Sequence, residues 1–198
     1  MHMMSAQTVW ETLLEGNRRY AVGRELRADI SAQRRRATAA GQHPCAAVLA
    51  CSDSRVPVEY LFDMGIGDLF VVRVAGNVIG MQEAASLEYA VEHMHVPLLL
   101  VLGHTGCGAV DAALSGCRVG GAIGSLMKKI APAVDRAQSR GISGPDLLRA
   151  ACVENVHQAI SDLLSLSPAV RAAADSGTVT VAGALYDIET GEVTGLKT

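Results

Sequence analysis

Ala46-Ala47-Val48-Leu49-Ala50-Cys51-Ser52-Asp53-Ser54-Arg55 is the stretch on which the fold turns. Its first half is a continuous apolar run of strand length, the pattern of a strand buried on both faces. Its second half switches at once to a thiol, a carboxylate and a guanidinium. Comparable apolar runs follow at Leu69 to Val74, Pro97 to Leu102 and Thr178 to Leu185. Helical patterns separate them: Ala84 to His93, about Gly124 to Arg140, and Pro145 to Leu166. Strands alternating with helices imply right-handed crossovers and an α/β fold, a parallel sheet covered by helices on both faces.

Working outward, Thr8 with Glu11 three residues later forms a capping-box signature. Val9, Leu13, Leu14 and Tyr20 follow at helical spacing, so the first element is an amphipathic helix, with Met1 to Ser5 as a tail. A second helix is expected over Ser31 to Ala40, stopped by Gly41. Together these make an N-terminal helical arm over about residues 6–40. Ser115 to Gly124 is the most loop-like interior segment, and Glu189-Thr190-Gly191 is a turn leading to a short final strand.

A chain of 198 residues suits a single domain over 1–198. Hydrophobic residues at 49% and aromatic residues at only 4% predict an aliphatic core without a platform for stacking bases. The net charge of -3 also argues against a nucleic-acid partner. Arg34, Arg35 and Arg36 read as a solvated helix face. No run approaches the roughly 18 apolar residues of a membrane span, and no secretion signal opens the chain, so a soluble, cytoplasmic protein without a membrane partner is expected. Five cysteines are an odd, sparse set, expected to be reduced thiols. Cys45, Cys117 and Cys152 read as buried thiols, Cys117 being the one expected nearest the surface.

The chemistry concentrates in two segments. Cys51-Ser-Asp-Ser-Arg55 follows the first apolar strand, and His104-Thr-Gly-Cys107 follows the third. Ligands of an open parallel sheet bind at the carboxyl ends of its strands, so these groups can converge although some fifty residues separate them. Two thiolates and one imidazole suit zinc in tetrahedral geometry, and three protein ligands leave the fourth position for water. A His-x-x-Cys alone is weak evidence. Asp53 and Arg55 beside the thiol make it stronger, because a packing role does not call for a buried ion pair. That pair satisfies both charges and leaves a carboxylate oxygen free to accept a hydrogen bond.

These two motifs, with Gly67-Asp-Leu-Phe-Val-Val-Arg-Val-Ala-Gly-Asn77 between them, resemble the β-class carbonic anhydrases. Ser86-Leu-Glu-Tyr-Ala-Val91, Val101-Leu-Gly-His104 and Tyr186-Asp187 fall in the same family order. The resemblance implies four parallel strands with a fifth at the edge, a functional homodimer or multiple of it, and one Zn2+ per chain on Cys51, His104 and Cys107. It implies hydration of carbon dioxide to bicarbonate and a proton by zinc-bound hydroxide, with Asp53 orienting the hydroxide and Arg55 keeping Asp53 ionised. Two thiolates neutralise the dication, so this zinc is expected to be a weaker Lewis acid than one held by three histidines. The resemblance also places Gln42 on the substrate oxygen. Phe70 and Tyr89 fall in the apolar pocket for carbon dioxide, to which a partner subunit can contribute, with Val56 and Ala75 beside them. Gly106 and Gly108 flank Cys107 and let the backbone turn close to the metal.

Some members are switched off when Asp53's counterpart becomes a fourth zinc ligand, stabilised by bicarbonate near a tryptophan. That position is Val48 here, which argues against a bicarbonate-regulated site and leaves Asp53 a conditional ligand. Two other readings use the same residues. One is hydrolysis of carbon disulfide or carbonyl sulfide; the other is a non-catalytic zinc or thiol module, which leaves Asp53 and Arg55 unexplained.

Overall fold

The computed structural model of the chain describes residues 4–26, 29–116 and 120–197. Its strands are β1 (Ala46–Ala50), β2 (Leu69–Arg73), β3 (Leu98–His104), β4 (Thr180–Tyr186) and β5 (Val193–Leu196), in one sheet of order β2-β1-β3-β4-β5. The first four are parallel and β5 closes the edge antiparallel to β4. Every residue of β1 and β3 is buried, whereas edge strand β2 is mostly half-buried. That contrast is the reason the central strands are unbroken apolar runs: helices cover both of their faces.

Side chains alternate across β1. Ala46, Val48 and Ala50 point toward α1 (Ala6–Ala21) and α3 (Val58–Leu61), meeting Val9, Leu13, Leu61 and Phe62. Ala47 and Leu49 point the other way, toward α4 (Met81–Glu92), α7 (Pro145–Leu166) and α8 (Pro168–Asp175). A third apolar cluster joins α5 (Gly108–Leu114), α6 (Gly121–Ser139) and α7 over the carboxyl ends of the strands. Helix α7 lies close on the sheet because β3 and β4 carry glycine beneath it. A Cβ on Gly103 would come within 2.5 Å of Val156 Cγ2, and one on Gly183 within 2.9 Å of Val156 Cγ1.

Several boundaries differ from expectation. Helix α1 starts a turn earlier than the Thr8 signature: Ser5, assigned to the tail, is its N-cap and accepts from Thr8 N at 3.1 Å. Glu11 is taken by Gln7 rather than by a cap. The second helix, α2 (Ala32–Ala37), is only 6 residues long and ends at Thr38 rather than Ala40. Arg34 is not part of a solvated face; it bonds Asp68 at 2.6 Å and the Ile66 carbonyl at 2.8 Å, and only Arg35 and Arg36 are exposed. Buried Asn17 fastens α1 across the fold, donating to the Leu61 and Gly191 carbonyls and accepting from Val193 N. Cys117 lies outside the described residues. Cys45, Cys51, Cys107 and Cys152 are free thiols, and burial pushes Cys152 up to about 11.

The chain leaves β1 for β2 on one side and returns to β3 on the other. The strand order therefore reverses between β1 and β3, and the crevice at their carboxyl ends is the topological switch point where open α/β sheets bind ligands.

Candidate metal centre

Cys51 follows the last residue of β1, His104 is the last residue of β3, and Cys107 caps the amino end of α5. The two sulfurs and a His104 ring nitrogen lie within 4.8 Å of one another, and all three residues are buried. His104 Nδ1 sits 2.9 Å from the Thr105 carbonyl oxygen. A carbonyl only accepts, so Nδ1 carries the proton and Nε2 keeps its lone pair. That Nε2 is buried and has no hydrogen-bond partner. A buried acceptor without a partner costs free energy unless something occupies its lone pair, and beside two thiols a metal ion fits that role. The donor set of two sulfurs and one nitrogen is one that zinc takes in tetrahedral sites.

The backbone supports the Cys51 sulfur. Asp53 N donates to it at 3.4 Å and Gly76 N at 3.2 Å. A hydrogen bond from the Cys107 thiol, with those amides, draws the Cys51 thiol below its ordinary range; Cys107, facing that sulfur and buried, goes up. A metal ion held by both sulfurs would remove the asymmetry, because each would bind it as a thiolate.

Asp53 borders the cluster, with Oδ2 at 3.9 Å from His104 Nε2. Its carboxylate is held by Arg55 in a fork: Arg55 Nε donates to Oδ1 at 2.9 Å and Nη2 to Oδ2 at 2.7 Å, with the Arg55 backbone N–H on Oδ1 as well. The guanidinium hydrogen bonds hold the Asp53 carboxyl well below the usual carboxylate range. Arg55 also donates to the Gly106 carbonyl, joining the first motif to the second. Arg73, at the end of β2, donates to the Cys51 carbonyl at 3.0 Å and the Asp53 carbonyl at 2.7 Å. Sequence reasoning placed Arg73 in a family segment without a task. Its position directly after four strand residues, where the chain reaches the site edge, was the available signal.

The chain is similar to known proteins in sequence and in structure. Residues 46–193 match the family model described as Carbonic anhydrase. Carbonic anhydrase 2 of Mycobacterium tuberculosis is 39% identical over 186 residues, covering 92% of this chain and 88% of that protein. Carbonic anhydrase of Mycolicibacterium smegmatis is 37% identical over 188 residues, covering 93% and 90%. Among solved structures, a tetrameric β-carbonic anhydrase from Sordaria macrospora superposes with a TM-score of 0.77 at 26% identity, covering 96% of this chain and 98% of that one.

The chain belongs to the β-carbonic anhydrase family.

In this β-carbonic anhydrase chain the remaining candidate residues are scattered. Val56 is fully buried in the core cluster under α1 and α3. Phe70 is paired in register with Ala47, four residues before Cys51, which places it about 13 Å back along the strand direction. Its ring lies 6.2 Å from that of Tyr89, which in turn is 4.9 Å from His93. This aromatic row runs along the β2 edge, with Tyr89 45% exposed. Gln42 is exposed in the loop before β1, at the other end of that strand from Cys51, and Ala75 is exposed. Gly106 has a φ of +63°, the left-handed turn that glycine makes without strain. Gly108 has no such demand, being the first residue of α5 with open space where a Cβ would stand.

Proposed function

We propose that the chain catalyses the reversible hydration of carbon dioxide to bicarbonate and a proton, using one zinc ion per chain on Cys51, His104 and Cys107. The observation that carries this reading is the buried His104 Nε2, without a protein partner, between two thiols and beside a carboxylate locked by arginine. Zinc bound there supplies a Lewis acid that lowers the pKa of water at its open position.

The chain's own residues do the rest. Asp53, ionised and acceptor-only, takes a hydrogen bond from the attacking water and turns its lone pair toward the carbon of carbon dioxide. Arg55 keeps Asp53 ionised, so Asp53 orients and does not store the released proton at neutral pH. Both Asp53 oxygens are engaged by Arg55, which supports an orienting role for Asp53 over that of a resident metal ligand, while Oδ2 keeps a lone pair for water.

Gln42, Phe70 and Tyr89 lie away from Cys51 within one chain, and exposed Tyr60, Met81 and Tyr89 lie on α3 and α4. This supports a homodimer, or a multiple of it, in which one copy's aromatic row completes the apolar pocket of the other. Free thiols and the lack, among the described residues, of a helix long and apolar enough to cross a membrane support a cytoplasmic setting. Stopped-flow hydration of carbon dioxide on protein whose metal has been counted tests the proposal. Rapid hydration with about one zinc per chain is the expected result, and full zinc with no hydration at any pH overturns it.

A further inference from the structure

We infer that Asn155, on α7, is a positioning residue for the metal centre, acting on the Cys51 sulfur through Gly76. Asn155 lies 79 residues from Gly76 in sequence, is 2% exposed, and donates from Nδ2 to the Gly76 carbonyl at 2.6 Å. Gly76 in turn donates its own N–H to Cys51 Sγ at 3.2 Å. One residue thus has its carbonyl held by α7 and its amide held against a metal-ligand sulfur.

The conformation of Gly76 needs such a tether. It sits in the short 3-10 turn Ala75–Asn77 with φ 69° and ψ 18°, and a Cβ there would meet Ile130 Cδ1 at 2.9 Å. The turn is otherwise hydrogen-bonded to its own neighbourhood, through Asn77 N to Val74 O and Ser52 N to Val74 O. The first of these bonds holds the N–H edge of the Gly76–Asn77 peptide, to a partner just before the turn. Asn155 holds the carbonyl edge of the same peptide from outside the turn, on a 22-residue helix packed against the sheet beneath the site. A polar side chain buried in an apolar helix face is costly to keep without a task. An N–H donated to a thiolate withdraws electron density from the sulfur and fixes its direction, the way groups outside the ligand set tune a metal.

The inference rests on the reading of Cys51, His104 and Cys107 as a metal site, and the test separates the two. Wild type, Asn155→Leu and Asn155→Asp are stripped of metal and titrated with cobalt(II) against a chromophoric chelator. The sulfur-to-cobalt charge-transfer absorption is recorded, and far-UV circular dichroism reports folding. Folded variants are expected to bind cobalt about 10- to 100-fold more weakly than wild type, with a displaced charge-transfer band. Folded variants with wild-type affinity and an unmoved band overturn the role of Asn155. Should both variants fail to fold, the wild-type protein loaded with cadmium-113 decides: scalar coupling from the metal to the Gly76 amide proton, and coupling across the hydrogen bond from Asn155 Nδ2 to the Gly76 carbonyl carbon, are both expected, and the absence of either overturns the inference. A wild type that binds neither metal overturns the metal reading itself.

Discussion

The two ends of strand β1 have opposite characters. At its carboxyl end Cys51, His104 and Cys107 are buried together, Asp53 is locked by Arg55, and Arg73 and Gly76 hold the backbone and sulfur in place. On the side where β1 begins, Gln42 is exposed, and the Phe70–Tyr89 row lies along an edge strand and an outer helix. In the first region the polar groups around the cluster find their partners within one chain, save His104 Nε2, the atom on which the metal reading rests. The second consists of apolar and amide groups that water tolerates, and such groups can wait for a second copy. The proposed function thus assigns the metal chemistry to the single chain and the substrate pocket to an assembly of copies.

The largest test of this division removes a ligand. Replacing His104 with Ala should abolish zinc retention and reduce hydration to the uncatalysed background, measured by metal analysis and stopped flow on one sample. Next comes Asp53→Ala, expected to lower kcat by about 10²–10³-fold, the scale of losing one positioned group in a polar site. Zinc content should stay near that of wild type. Loss of folding in this variant would instead make Asp53 a structural residue and weaken the contrast.

Tyr89→Ala is expected to act differently again. If its ring serves a second copy, hydration should fall roughly tenfold, the order seen for a truncated interface aromatic. Assembly by light scattering should weaken in parallel, with metal content unchanged. Unchanged assembly and activity would place the whole pocket within one chain.

Arg55→Ala tests the electrostatics. The Asp53 carboxyl should rise toward its ordinary value of about 3.9, moving the acid limb of the hydration profile to higher pH. The sign for stability follows from the depressed carboxyl: the pair stabilises the fold above the unfolded value and loses that contribution as pH falls through the folded one. The urea midpoints of wild type and variant should thus differ at pH 7, begin to approach each other only below about pH 4, near the unfolded carboxyl value, and meet only below the depressed folded one. The gap should be small, because the Arg55 side chain is 54% exposed. Smallest of all is Gly108→Ala, where a Cβ meets nothing within 4 Å. A change of less than about 0.5 kcal/mol in unfolding free energy is expected, against a much larger loss for Gly16→Ala, whose Cβ would lie 1.9 Å from the Phe62 carbonyl oxygen.

How much of this was legible in the sequence follows the same division. β1 and β3 were plain, because strands buried on both faces must be apolar throughout. Cys51, Asp53, Arg55, His104 and Cys107 were plain too, since such groups abutting apolar strands need one another. Asn155 and Arg73 were not: a single polar residue in a helix or at a strand end carries no mark of its partner, which here comes from a distant element. Asn17 was hidden for the same reason. Ser5 was missed because Thr8 and Glu11 offered a competing cap of the same chemistry one turn on. Gly103 and Gly183 were silent, as the need for them arises only from Val156 on α7. The places of Gln42, Phe70 and Tyr89 relative to the metal site were not legible either, because strand register for Phe70, and the course of a loop and of α4 for the other two, decide them rather than residue type.

The most direct test of the central claim is a zinc titration of the metal-free protein, with hydration of carbon dioxide followed by stopped flow at each addition. The account predicts a rate that starts at background, rises in proportion to added zinc and levels off at about one equivalent per chain. Hydration by the metal-free protein, or a fully bound first equivalent that leaves the rate at background, would contradict it.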